Sequence, residues 1–178
     1  MANTYSAIAT VTVGNGGAGS IQFTSIPGTY KDLLIKYSLR SLRSGANFDT
    51  AVMSFNSNSS NMSQITFQGG GRLVATSTFV TSGSNYFDVN AEAGGSQTSN
   101  NIFSNAEVYI ANYTSSSAKS ISVDMVTENN AIGSYSAYAD LASILWNSTS
   151  AVTSIGITAN NGNWAQYSTA TLYGIKSS

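Results

Sequence analysis

The chain has 178 residues, 8% of them charged, and a formal net charge of −1. That length supports one domain with a single core, and so small a charge excludes whole-molecule attraction to nucleic acid or to an anionic membrane. There is no cysteine and no histidine, which removes disulfides, thiolate or imidazole metal ligands, cysteine nucleophiles and the Ser-His pairing of common hydrolases.

Alternation of apolar and polar residues with period two runs through most of the sequence, the pattern of half-buried strands. The start, MANTYSAIATVTV, lacks a basic region followed by an unbroken apolar run. No stretch reaches the ~18 apolar residues of a membrane span, so synthesis in a cytoplasm without a signal peptide is expected. Residues 5–13 read as a first strand, with Val11 and Val13 on one side.

GNGGAG follows, and its Gly14, Gly16 and Gly19 match the G-x-G-x-x-G of dinucleotide sites, with Asp32 further on. That chemistry needs a helix N-terminus aimed at the pyrophosphate. The continuation SIQFTSI reads as a strand instead, so a hairpin turn is predicted and no cofactor. Ile21 and Phe23 begin the second strand, and Pro27-Gly28 ends it, since proline cannot donate to a ladder.

DLLIKYSLRS, residues 32–41, puts Leu33, Ile35, Tyr37 and Leu39 on one face and Leu34, Lys36, Ser38 and Arg40 on the other. Lys31 and Arg43 fall at its ends. Nucleic-acid grooves combine more cations with stacking aromatics, and Tyr37 points to the opposite, core-facing side. Leu34 and Leu42 exposed beside Lys36, Arg40 and Arg43 fit either a plain solvent face or a mixed apolar and charged subunit interface, and the interface is the expectation.

Residues 48–55 alternate through Asp49, Ala51, Met53 and Phe55, and the Ser/Asn-rich 56–63 is a loop. Further strands fit 64–68, 72–80, 86–91, 102–113, 119–128, 136–147, 152–159 and 164–175, a spacing that predicts a sandwich. Tyr138, Leu141, Ala142 and Leu145 also fit a helix, but β-branched and aromatic residues follow and no capping signal precedes them. Asn161-Gly162 predicts a type I′ hairpin turn that makes the last two strands neighbours.

Asp88/Glu92 and Asp124/Glu128 are each four residues apart, ~13 Å on a strand, beyond the ~5–9.5 Å of cooperating carboxylates. Pairing 102–113 with 119–128 so that Val108 opposes Met125 turns Val108, Ile110, Val123 and Met125 inward. Glu107, Asp124 and Glu128 then share the outer face as an acidic patch: a solvated surface, a Ca²⁺ site or a contact for a basic surface. No pocket that would raise an acid's pKa is evident, so no enzyme activity is expected. Ten tyrosines and the tryptophans Trp146 and Trp164 could stack on sugars, though core and interface anchoring is their simpler use.

FTSIPGTYKDLLIKYSLRS and the terminal NWAQYSTATLYGIKSS resemble matching segments of tailed-bacteriophage virion proteins. The first matches through Ile26, Pro27, Tyr30, Leu33 and Arg40, the second through Ser168, Ala170, Leu172, Tyr173, Gly174 and Ile175. The resemblance implies an all-β structural protein of the virion, with framework residues and no catalytic set. It does not choose between a head decoration protein and a tail-fibre module; from the chain's own architecture the expectation is a capsid decoration, or cement, protein that forms a trimer or dimer, docks on the major capsid protein and bridges capsomers. The alternative is a tail-fibre or receptor-binding module that adsorbs to host glycans, although no coiled-coil or repetitive shaft appears. The fold expected over residues 1–178 is a jelly-roll-like sandwich of two antiparallel sheets. Leu34, Lys36, Arg40, Leu42 and Arg43 of one subunit would meet Glu107, Asp124 and Glu128 of another.

Overall fold

A computed structural model describes residues 4–44, 48–70, 73–80, 89–93, 102–128 and 137–176. Its twelve strands begin with β1 (Tyr5–Thr12), β2 (Ser20–Phe23), β3 (Asp32–Ser41), β4 (Phe48–Phe55), β5 (Met62–Gly70) and β6 (Leu73–Val80). They continue with β7 (Val89–Ala93), β8 (Ser104–Ile110), β9 (Lys119–Glu128), β10 (Ala137–Trp146), β11 (Ile155–Ala159) and β12 (Thr169–Ile175).

Two sheets pack face to face. The larger runs β1-β12-β3-β8-β9-β10-β5-β6 and the smaller β2-β11-β4-β7, all antiparallel within each sheet. At one side β7 runs parallel to the end of β3, Arg40 facing Glu92 and Ser41 facing Ala93. The pairs β3·β12, β4·β11, β5·β10 and β8·β9 are nested in sequence, so the chain is wound as one long folded hairpin. That winding makes the sandwich jelly-roll-like. It departs from the usual order in that β8·β9 lies in the larger sheet, between β3 and β10.

The period-two alternation settles which side chains fill the gap. Leu33, Ile35, Tyr37 and Leu39 of β3 are buried, as are Ala51, Met53 and Phe55 of β4 and Ile155 and Ile157 of β11. Residues 138–145 lie within β10, whose backbone bonds are taken on both sides by β5 and β9, so the helical spacing there is coincidental. Trp146 and Trp164 both belong to the core, and Trp164 Nε1 donates to the Ile157 carbonyl at 2.9 Å. Neither ring is available to stack on a sugar.

Two connections differ from expectation. β11 and β12 are not neighbours: the first pairs with β2 and β4 in the smaller sheet, the second with β1 and β3 in the larger. Residues 160–168 therefore cross between sheets, and neither Asn161 nor Gly162 takes the positive φ of a type I′ turn. The reason is a distant partner. The buried Asp49 carboxylate accepts from Asn161 N at 3.1 Å and from Asn161 Nδ2 at 3.2 Å, which holds this segment as a corner.

Gly14–Gly17 do form a turn, closed by Gly17 N donating to Gly14 O at 3.2 Å, with Gly16 and Gly17 at φ of 92° and 77°. It too is a corner between sheets and not a hairpin, because β1 and β2 pair with different partners. A side chain at Gly17 would collide with the Trp164 carbonyl oxygen. A strand follows, so the helix a dinucleotide site needs is absent from this position.

Candidate functional site

Of the predicted charged residues, Lys36, Glu107 and Asp124 come together on the outer face of the larger sheet. Register places Lys36 opposite Glu107, Glu107 opposite Asp124, Asp124 opposite Leu141 and Leu141 opposite Phe67, one row across five strands. Val108 faces Val123, and Ala106 faces Met125. This is two residues from the predicted register; an even shift keeps every side chain on its face, so Val108, Ile110, Val123 and Met125 are still buried.

Lys36 Nζ lies 2.6 Å from Glu107 Oε1, with the two side chains 53% and 55% exposed. The hydrogen bond to Glu107, and then its charge, raise the Lys36 pKa. Asp124 is exposed beside this pair and has no partner among the described residues. The acidic patch is thus partly neutralised within the chain. Among the described residues no group of three or more acids is placed to hold a metal ion.

Leu34 is a correction. It points outward as predicted, but it is buried, because Tyr109 on β8 and Tyr173 on β12 flank it in register. Tyr5, Leu34, Lys36, Glu107 and Tyr173 line an open cleft of about 450 Å³. Tyr109 Oη donates to Asp32 Oδ2 at 2.7 Å, while Asp32 Oδ1 accepts from Asn112 N at 2.7 Å. The bond to Asp32, with desolvation second, pushes the Tyr109 pKa up to about 12.

The rest of the predicted stripe lies elsewhere. Arg40 is half-buried; its N–H donates to Ser168 Oγ at 3.1 Å and its carbonyl accepts from Ala165 N at 2.7 Å. Leu42 is 50% exposed, against Gly17, and donates through N–H to the Asn163 carbonyl. Arg43 N donates to Ser41 Oγ at 3.0 Å, which itself donates to Asp49 Oδ2 at 2.7 Å. These three belong to the corner under residues 160–168, and Leu42 is ~20 Å along the chain from Lys36. Glu128 ends β9 opposite Ala137, and its side chain lies outside the described residues, as do Asp88 and the side chain of Glu92.

Sequence reasoning missed the most apolar part of this face. Phe67 is 58% exposed, Leu141 57% and Val126 51%, with Leu145 and Ile65 beside them. The signal was in β10, which is apolar in both phases: Ala142, Ile144 and Trp146 point inward, Leu141 and Leu145 outward. In β5 the pattern is inverted. Gln64 and Thr66 are buried, and Ile65 and Phe67 face solvent. Contiguous apolar exposure of this kind marks a contact surface.

No protein-family model matches the sequence, and no curated protein gives a significant match. Among the described residues no helix is long and apolar enough to cross a membrane.

Proposed function

We propose that this chain is a bacteriophage virion structural protein, a capsid decoration (cement) protein that stabilises the shell by bridging capsomers. The observation that carries the reading is the exposed apolar strip Phe67–Leu141–Val126 on the outer face of the larger sheet. A surface of that character is used by being covered. The resemblance of residues 23–41 and 163–178 to virion proteins suggests the setting in which it would be covered.

Its action is mechanical and stoichiometric. Each bound copy adds buried interface between neighbours, and by mass action that stabilises only the assembled shell. Particles prepared without the protein should release DNA at a lower temperature than complete ones. Equal heat resistance of the two preparations would count against the reading. Copy number in purified virions separates hundreds of shell-bound subunits from the few dozen of a tail.

A second reading, a tail-fibre or receptor-binding module for host glycans, draws on the Tyr5/Tyr173 cleft and no longer on the tryptophans, which are buried. Aromatic rings beside an ion pair suit a sugar's apolar face and its hydroxyls. Glycan-array binding lost in Tyr5→Ala would favour it.

A further inference from the structure

We propose that the outer face of the larger sheet is covered by a second copy of the chain, packed sheet on sheet about a two-fold axis. The axis lies in the interface and runs across the strands. This inference rests on that face being an interface, and it does not depend on the virion.

The argument is the register. Outward residues form rows, among them Ser143–Ser122–Tyr109 and, one step along the strands, Leu141–Asp124–Glu107. An axis midway between these rows lays each row on the other in the facing copy. Leu141 then meets the second copy's Ser143, Asp124 its Ser122, and Glu107 its Tyr109. Both carboxylates of the second row face a hydroxyl-bearing side chain, no like charges are opposed in these rows, and one step further out Val126 meets Ser120.

A two-fold axis along β10 would instead stack β5 on the second copy's β9. Phe67 would then cover Asp124, burying a carboxylate that has no partner. The crosswise axis avoids that penalty.

Area agrees with this occupant. Each outward residue of a sheet covers roughly 33 Å², so a face six strands wide and four rows deep offers roughly 800 Å², the share each partner contributes to a standard stable interface. Sheets packing face to face keep their strands within about 30° of each other, which preserves the pairing best near the axis, at Leu141 and Ser143.

Sedimentation of the purified chain at micromolar concentration should show a dimer. Ser143→Asp alone and Leu141→Lys alone should each give a folded monomer, since both side chains point outward. An equal mixture of the two variants should restore the dimer, because the introduced Asp and Lys meet once and the remaining Leu141–Ser143 contact is native. Thr158→Asp, on the smaller sheet, should leave the dimer intact. A monomeric wild-type chain, a dimer surviving in either single variant, or a mixture that stays monomeric would each overturn the proposal. Glycan binding by the dimer through the Tyr5/Tyr173 cleft would also overturn it, because the pairing covers Leu34 and Lys36. A dimer that fails to bind virions would remove the decoration reading and leave this one standing.

Discussion

The Tyr30 ring packs directly on the backbone of Gly174: a Cβ built on that glycine would overlap the ring's Cγ, Cδ1 and Cδ2 atoms. The two residues come from opposite ends of the chain, one beside Pro27 and the other in the last strand. β3 and β12 pair alongside them, and Lys31 N donates to the Ile175 carbonyl at 2.8 Å. The segments around Pro27 and Gly174 are thus one structural unit, and the ring leaves no room for a side chain at Gly174.

Gly174→Ala should therefore cost about 1–3 kcal/mol, the usual penalty of overpacking. Adding Tyr30→Ala should cost less than it does alone, because the clash is gone. Denaturant unfolding of the two single variants and the double variant measures this directly; additive losses would show that the contact is not what constrains position 174.

Much of the strand pattern was legible in the sequence, because inward and outward residues alternate whatever the partner strand. That is why β3, β4 and the inward faces of β8 and β9 were placed correctly even with a two-residue error in register. Partnership was not legible. Asn161-Gly162 carries local hairpin chemistry, yet its fate is set by Asp49, 112 positions away. The Lys36 stripe was visible, but its division was not: Lys36 found Glu107 across the ladder, while Arg40 and Arg43 turned into a corner. β5 was legible as a strand but not in its facing, since Gln64 and Thr66 are buried while Ile65 and Phe67 are exposed.

Lys119 is a buried cation held entirely by backbone. Its Nζ donates to the carbonyls of Ser115, Ser117 and Ser148 at 2.7, 2.8 and 3.1 Å, and sits 5.7 Å from the centre of the Trp146 ring. Lys119→Met keeps the packing of the stem but leaves those carbonyls without a donor. A loss of at least about 2 kcal/mol is expected, with faster hydrogen exchange in the 111–118 turn. An unchanged unfolding midpoint would mean that water replaces the ammonium without penalty.

Tyr109 makes stability depend on alkaline pH. Its pKa is raised from 10.0 in the unfolded chain to about 12 in the fold, chiefly by the bond to Asp32. The folded state then holds a proton that the unfolded state releases, so this contribution is complete below pH 10 and is lost as pH rises toward 12. Tyr109→Phe should be less stable at neutral pH and show a shallower decline between pH 10 and 12. Parallel curves for the two proteins would locate the alkaline sensitivity in another group.

Trp164 tests whether aromatic content or aromatic position decides what this surface can do. The side chain is fully buried, its indole N–H is bonded, and its backbone bridges to Ala18 and to Ser41, where the β1–β2 connection, the end of β3 and the 160–168 corner converge. Trp164→Ala should cost about 3–5 kcal/mol through the cavity it leaves, so any ligand binding it abolishes would be lost with the fold. Tyr5 is 56% exposed at the end of edge strand β1, and Tyr5→Ala should leave the unfolding midpoint close to wild type. Comparing thermal unfolding with sugar binding in the two variants separates the cases: binding that survives Tyr5→Ala has no place in the cleft, and binding that disappears with full stability belongs there.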